Sequence, residues 1–219
     1  MTEIIGIIQV KGGVGRSTIA TNLAAILSAH SATLLIDGDL PQGTSASWYA
    51  TRQSSMPSER LSLTTAANHL ELIDKINAAA DSYRYIIIDA PPRLAEMTRA
   101  IIILSHLALI PLGASAAEIW STSDLLTTID EAKNFKPDVD ARVLWTRYRA
   151  YTKEARELSE AVHRELKLKE LAARIGYRVA YSEALARGLS VEDWDDNSAK
   201  DEFRSLVTEV KSILGEKRR

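Results

Sequence analysis

The chain has 219 residues, a 46% hydrophobic content and a formal net charge of −2. That is enough apolar chain to bury the core of one α/β domain, and the near-neutral balance gives no global electrostatic reason to expect nucleic acid. The absence of cysteine excludes disulfides, thiolate metal sites and cysteine nucleophiles.

Residues 4–10 are nearly all apolar, as a strand buried on both faces would be. The run is short, follows acidic Glu3 and flows into a glycine-rich turn, unlike a secretory leader, and no stretch reaches membrane-spanning length, so a cytoplasmic chain is expected. The turn, residues 11–18, reads KGGVGRST. Gly12, Gly13 and Gly15 let the backbone fold tightly and aim several N–H groups at one anion. A helical pattern over 19–28, with Leu23, Ile26 and Leu27 on one face, adds its positive dipole end to that point. Strand, glycine turn and helix are the context of a phosphate-binding loop. There Ser17 offers a hydroxyl to Mg²⁺ and Thr18 one to a phosphate oxygen. The lysine slot of the plain G-x-x-x-x-G-K-[ST] pattern holds Arg16, and a second cation, Lys11, opens the loop.

A second buried strand, 32–36, stops at Asp37-Gly38-Asp39. Residues 54–63 are polar and read as a surface loop; 66–80 carry Leu70, Ile73 and Ile76 at helical spacing. The apolar run 85–88 ends in Asp89, a carboxylate placed to hold Mg²⁺, usually through a water. Residues 100–104 look like a helix end, and 107–112 and 141–146 are further strands. Residues 153–171 read as a long charged helix with Leu158, Val162 and Leu166 inward, and 176–181 as the last strand and its exit. A short helix over 182–188 ends at glycine, and a final helix over 199–214 has Phe203, Leu206, Val207, Val210, Ile213 and Leu214 on one side. Strands alternating with helices indicate a mostly parallel sheet flanked by helices on both faces, with ligands at the carboxyl ends of the strands. No repeat or linker interrupts the chain, so one domain over 1–219 is expected.

KGGVGRST, DGDLPQG and IIIDAPP, in that order, resemble the deviant Walker A, A′ and B motifs of the ParA/MinD ATPases, most like the small plasmid-partition ParA proteins. The resemblance implies a P-loop NTPase fold that hydrolyses ATP with Mg²⁺. It implies that Gly12, Gly13, Val14, Gly15, Arg16, Ser17 and Thr18 hold the phosphates, and that Arg147 lies beside the adenine. Ser17, Asp37 and Asp89 would surround the metal, and Asp39 would position the attacking water. Lys11 would reach across a homodimer to the partner's ATP. The family's ATP dimer grips nucleoid DNA without sequence preference, and a centromere-binding adaptor triggers hydrolysis. Rival readings are a MinD-like membrane switch, using the last helix as a lipid-binding face, and a positioner of protein cargo.

Several positions depart from the family's pattern. Leu40 stands between Asp39 and Pro41, and Thr146 replaces the asparagine that often precedes the arginine. Where family members often read P-S-P-x-D-x-W, this chain has Ala114-Ser115-Ala116-Ala117-Glu118-Ile119-Trp120, with Trp120 expected to be packed. Arginine is a bulkier planar fork than lysine, so Arg16 is expected to slow hydrolysis more than it weakens binding. DNA contact needs only cations aimed at phosphates. Arg178 and Arg187, with the tail Lys217, Arg218 and Arg219, have the fewest acidic neighbours and are the candidates.

Overall fold

The computed structural model describes residues 1–40, 42–92, 95–113, 115–120, 122–148, 157, 160 and 162–216. Among them a sheet of seven strands runs in the order β3-β2-β4-β1-β5-β6-β7, every neighbouring pair parallel. The strands are β1 (Glu3–Ile7), β2 (Thr33–Asp37), β3 (Leu61–Thr65), β4 (Tyr85–Asp89), β5 (Leu107–Gly113), β6 (Ala141–Tyr148) and β7 (Lys169–Gly176). The middle strands β2, β4, β1 and β5 are buried along their whole length, because helices cover both faces.

The helices are α1 (Arg16–Ser28), α2 (Thr44–Ser55), α3 (His69–Ala79), α4 (Ala95–Leu104), α5 (Ala116–Trp120), α6 (Ser123–Lys133), α7 (Val179–Ala186) and α8 (Asn197–Glu216). Alternating side chains of β1, and of Ile8 which follows it, feed two cores. Ile5 and Ile7 join Leu23 of α1, Trp48 of α2, Ala180 of α7 and Phe203 of α8; Ile4 and Ile8 join Ile76 of α3, Ile101 of α4 and Ile129 of α6. The register sets Asp37 opposite Asp89 at the carboxyl ends of β2 and β4, with Ile7 of β1 beside them. Three motifs far apart in sequence are thus brought to the carboxyl end of the central strands.

Three stretches differ from the sequence reading. Part of the expected loop 54–63 is strand: β3 is an edge strand whose Leu61 alone is fully buried, so its polar pattern hides it. The helix expected over 153–171 stops early. Val162–Leu166 forms a π-helical turn with Val162 and Leu166 inward, and β7 begins at Lys169; Leu158 and Lys153 lie outside the described residues. Leu171, Ala173 and Ile175 are buried at every second position, the strand period, while interleaved Lys169, Glu170 and Arg174 supply the charge that reads as a helix face. The chain therefore enters α7 three residues after β7, where the last strand was expected. In α3, Asn68 caps the helix by accepting from the amides of Leu70 and Glu71, and Leu72 rather than Leu70 turns inward.

Candidate functional site

The glycine loop sits between β1 and α1. Gly13 and Gly15 have φ of 75° and 95°, left-handed values that favour glycine, and a β-carbon on Gly12, Gly13 or Gly15 would point into open space. That open space belongs to a cavity of about 500 Å³ lined by Gly12, Gly13, Gly15, Arg16, Ser17, Thr18, Asp39, Gln42, Thr44, Pro92 and Leu185. A second cavity, of about 300 Å³, adjoins it through Gly13, Gly15, Thr18 and Leu185. Val14, Ile19, Thr146, Arg147, Ile175 and the 176–182 segment complete its wall, and it is mainly apolar. A cavity on a helix N-terminus beside a more apolar one matches a phosphate chain and a base.

Arg16 is buried, and its Nη1 donates to the carbonyls of Gln9 and Lys11, each at 2.7 Å. Its Nη2 lies 3.8 Å from Asp39 Oδ2. Burial pulls the guanidinium's pKa down, and Asp89 and Asp39 oppose that. The guanidinium thus braces the loop from within and commits part of its charge to the protein.

The carboxylates have different tasks. Asp37 accepts the Asp39 amide on Oδ1 and the Ala46 amide on Oδ2, each at 2.9 Å. It therefore fixes the turn after β2 and caps α2, whose own N-cap, Gly43, offers no side chain. Asp39 is the less buried of the two. Its carbonyl accepts from Gln42 and Gly43, so the turn closes despite the added Leu40; Pro41 lies outside the described residues. Asp89 is 1% exposed. Its Oδ2 accepts the Ser45 hydroxyl at 2.7 Å, and its Oδ1 has no hydrogen-bond partner. Burial raises this carboxyl to about 6, against the Ser17 and Ser45 hydroxyls, which favour the charged form.

An orphaned buried carboxylate oxygen with a serine hydroxyl facing the same group fits a hard divalent cation. No cluster of three or more His, Cys, Asp or Glu that could hold a metal is found among the described residues. The oxygen donors present, the Asp89 carboxylate and the Ser17 hydroxyl, are of the kind that binds Mg²⁺ alongside phosphate. Asp37 spends both oxygens on amides.

Lys11 is partly exposed and lies 3.6 Å from Glu118 Oε1. Glu118 is buried and also accepts the Gly113 amide at 2.5 Å, and a β-carbon on Gly113 would collide with it. Arg147, at φ 50°, donates to the Gly13 carbonyl at 2.8 Å and lies 3.5 Å from the same Glu118 oxygen. Thr146 donates to the Val14 carbonyl at 3.1 Å. Arg147 therefore reaches the loop, where it meets Glu118, and lines the apolar cavity.

The DNA candidates separate. Arg178 lines the base-side cavity and is bound to Glu202 through Nε at 3.0 Å and Nη2 at 2.7 Å; Tyr181 and the Gly176 amide donate to the same carboxylate. Arg187 is exposed, its guanidinium 4.6 Å from the Trp194 ring centroid. Lys217, Arg218 and Arg219 lie outside the described residues. Trp120 is 69% exposed, so the expected packing of this ring is corrected: Ile119 takes the buried position. Ser45 and the Glu202 hub are not marked by any motif. Ser45 gives a faint signal, a hydroxyl in the first helical turn after the second motif. Glu202 gives none, because one glutamate on a charged helix looks like any other.

The sequence model of the CobQ/CobB/MinD/ParA nucleotide binding domain matches residues 5–191. The chain is 30% identical over 217 residues to the maintenance of carboxysome distribution protein A of Gloeobacter kilaueensis, covering 95% of this chain and 94% of that one. It is 29% identical over 235 residues to the chromosome partitioning protein ParA of Myxococcus xanthus, covering 90% and 83%. The structure of a Cyanothece McdA–ATP complex shares the fold, with a TM-score of 0.79 at 18% identity over 98% of this chain and 96% of that one.

The Asp89 carboxyl gives a testable pH effect. Its folded value, about 6, lies above the ordinary 3.8, so its contribution is full below about pH 4 and is lost as pH rises through 6. In metal-free buffer, Asp89→Asn should therefore gain on the unsubstituted protein from pH 4 to pH 8, by up to about 3 kcal/mol. Paired urea melts with EDTA measure this, and a difference that stays flat with pH would count against it.

Proposed function

The chain belongs to the CobQ/CobB/MinD/ParA nucleotide-binding family, a family of ATPases, and from that premise we propose that it is a ParA-type ATPase that segregates DNA. ATP draws two copies together, the dimer binds nucleoid DNA without sequence preference, and a centromere-binding adaptor stimulates hydrolysis and release. The observation that carries this reading is the open glycine loop with Lys11 at its mouth. The Lys11–Glu118 pair is long and partly exposed, the kind of ion pair worth little and easily exchanged. Lys11 can leave it for the phosphates of a second copy.

Within one chain the glycine amides and Thr18 cradle the phosphates. Ser17 and Asp89 would hold Mg²⁺, which would supply neutralisation of phosphate charge. Asp39, at the cavity wall, orients the water. Arg16 keeps its charge near the phosphates but stays tied to the Gln9 and Lys11 carbonyls, which supports strong binding and slow turnover. Of the DNA candidates, Arg187 keeps an exposed guanidinium, whereas Arg178 serves the base-side cavity.

A second reading, positioning of a protein cargo by the same DNA-bound dimer, is favoured by the 30% identity to a carboxysome distribution protein. It changes the adaptor and leaves the ATP cycle as it is. The membrane-switch reading loses its main feature. Phe203, Leu206, Val207, Val210, Ile213 and Leu214 of α8 are buried in the core and offer lipid no apolar face. Among the described residues no helix is long and apolar enough to cross a membrane. A cytoplasmic, nucleoid-associated location goes with the DNA-bound dimer proposed here.

Mass measurement by light scattering with ADP and with ATP, alongside turnover, tests the core of the proposal. The unsubstituted protein should dimerise with ATP alone and turn over slowly; Lys11→Ala should stay monomeric in both. Arg16→Lys should raise turnover by about 10- to 100-fold, and a rise of less than about twofold would show that arginine is not what limits the rate. Arg187→Glu should weaken binding to random duplex DNA by about 3- to 10-fold at low salt, with the ATP dimer intact. Equal DNA affinity for the two proteins would remove Arg187 from the interface.

A further inference from the structure

We propose that Ser45 is a positioning residue for the divalent cation that accompanies the nucleotide. It holds one oxygen of Asp89 so that the other is presented to the metal. The inference rests on the nucleotide–Mg²⁺ reading above and extends it to a residue outside the recognised motifs.

Ser45 is fully buried, and its hydroxyl donates to Asp89 Oδ2 at 2.7 Å. The other oxygen, Oδ1, is buried and has no partner. A buried carboxylate that is half satisfied has two ordinary escapes, protonation or rotation about its terminal torsion to share one donor between two oxygens. The second is blocked where the donor itself cannot follow, and Ser45 cannot. The next residue, Ala46, has its amide fixed by Asp37 Oδ2 at 2.9 Å. Further along α2, Trp48 Nε1 donates to the Leu189 carbonyl at 3.0 Å, and Arg52 pairs with Asp193 at 2.8 Å. The helix that carries Ser45 is pinned at its start to β2 and along its length to the 188–193 segment. The hydroxyl is therefore a fixed donor, and Oδ1 is the oxygen left over. Ser17, the residue placed to bring a hydroxyl to the metal, faces the same carboxylate. An outer partner that orients a metal-binding carboxylate typically accounts for 10- to 100-fold in metal affinity.

The test compares Ser45→Ala with the unsubstituted protein. Mn²⁺ affinity is read by electron paramagnetic resonance in the presence of ADP, and ADP affinity is read separately in EDTA. Ser45→Ala should bind Mn²⁺ about 10- to 100-fold more weakly, with ADP affinity in EDTA unchanged. Unchanged Mn²⁺ affinity overturns the proposal. So does an equal loss of ADP affinity in EDTA, which would mark Ser45 as a general structural residue. If the unsubstituted protein binds no nucleotide at all, the nucleotide reading falls and this proposal falls with it. If it binds both ADP and Mn²⁺ and Ser45→Ala is indifferent, only the role given to Ser45 is lost.

Discussion

Everything at this site follows from charges held at the carboxyl end of an apolar sheet. Asp37 and Asp89 end strands whose other residues are buried among aliphatic side chains, and Arg16 is buried beside them. Unpaired ions would not be tolerated there; they protonate or find partners. The fold supplies partners chiefly from the first turn of α2, the Ser45 hydroxyl to Asp89 and the Ala46 amide to Asp37. That turn also directs the positive end of its helix at the two carboxylates. The one buried carboxylate oxygen left without a partner among the described residues is Asp89 Oδ1, and the cation site is argued from it.

Arg16 answers the same constraint from the other side. A lysine in its slot would offer one compact charge on a flexible stem. The guanidinium instead spreads between the Gln9 and Lys11 carbonyls and faces Asp39. It stiffens the start of the loop and couples the loop to the residue assigned to the water. The stiffening favours a preorganised cradle, while the planar fork gives the charge less freedom to follow the phosphate as its geometry changes.

The loop and the two strand-end motifs were legible because their residues are chemically constrained: glycines at left-handed φ, and aspartates directly after isoleucine runs. Elements whose residues answer to packing alone were not. The start of β7 falls inside the helix expected over 153–171 because the alternation of Leu171, Ala173 and Ile175 is masked by Lys169, Glu170 and Arg174 on an edge strand. The start of β3 looks like loop for the related reason that an edge strand buries little. The size of Trp120 suggests a core position, yet the fold places Ile119 there. Arg178 has few acidic neighbours in sequence, but its partner Glu202 arrives from a helix 24 residues away. Sequence distance carries no charge information of that kind.

The base-side cavity shows how the two halves of the site are joined. Its wall over 176–181 is set by Glu202, which takes the Gly176 amide, the Arg178 guanidinium and the Tyr181 hydroxyl at once. Burial and that carboxylate together push the Tyr181 hydroxyl's pKa upward, so it stays a donor. Leu185, on the helix so fixed, lines both cavities, and the chain beyond it is held by Trp48 and Arg52 of α2. The helix that orients the strand-end carboxylates therefore also borders the segment that closes the base side. Moving α2 at either end would disturb a hydrogen bond at the other, so phosphate-side and base-side geometry are set by one rigid element.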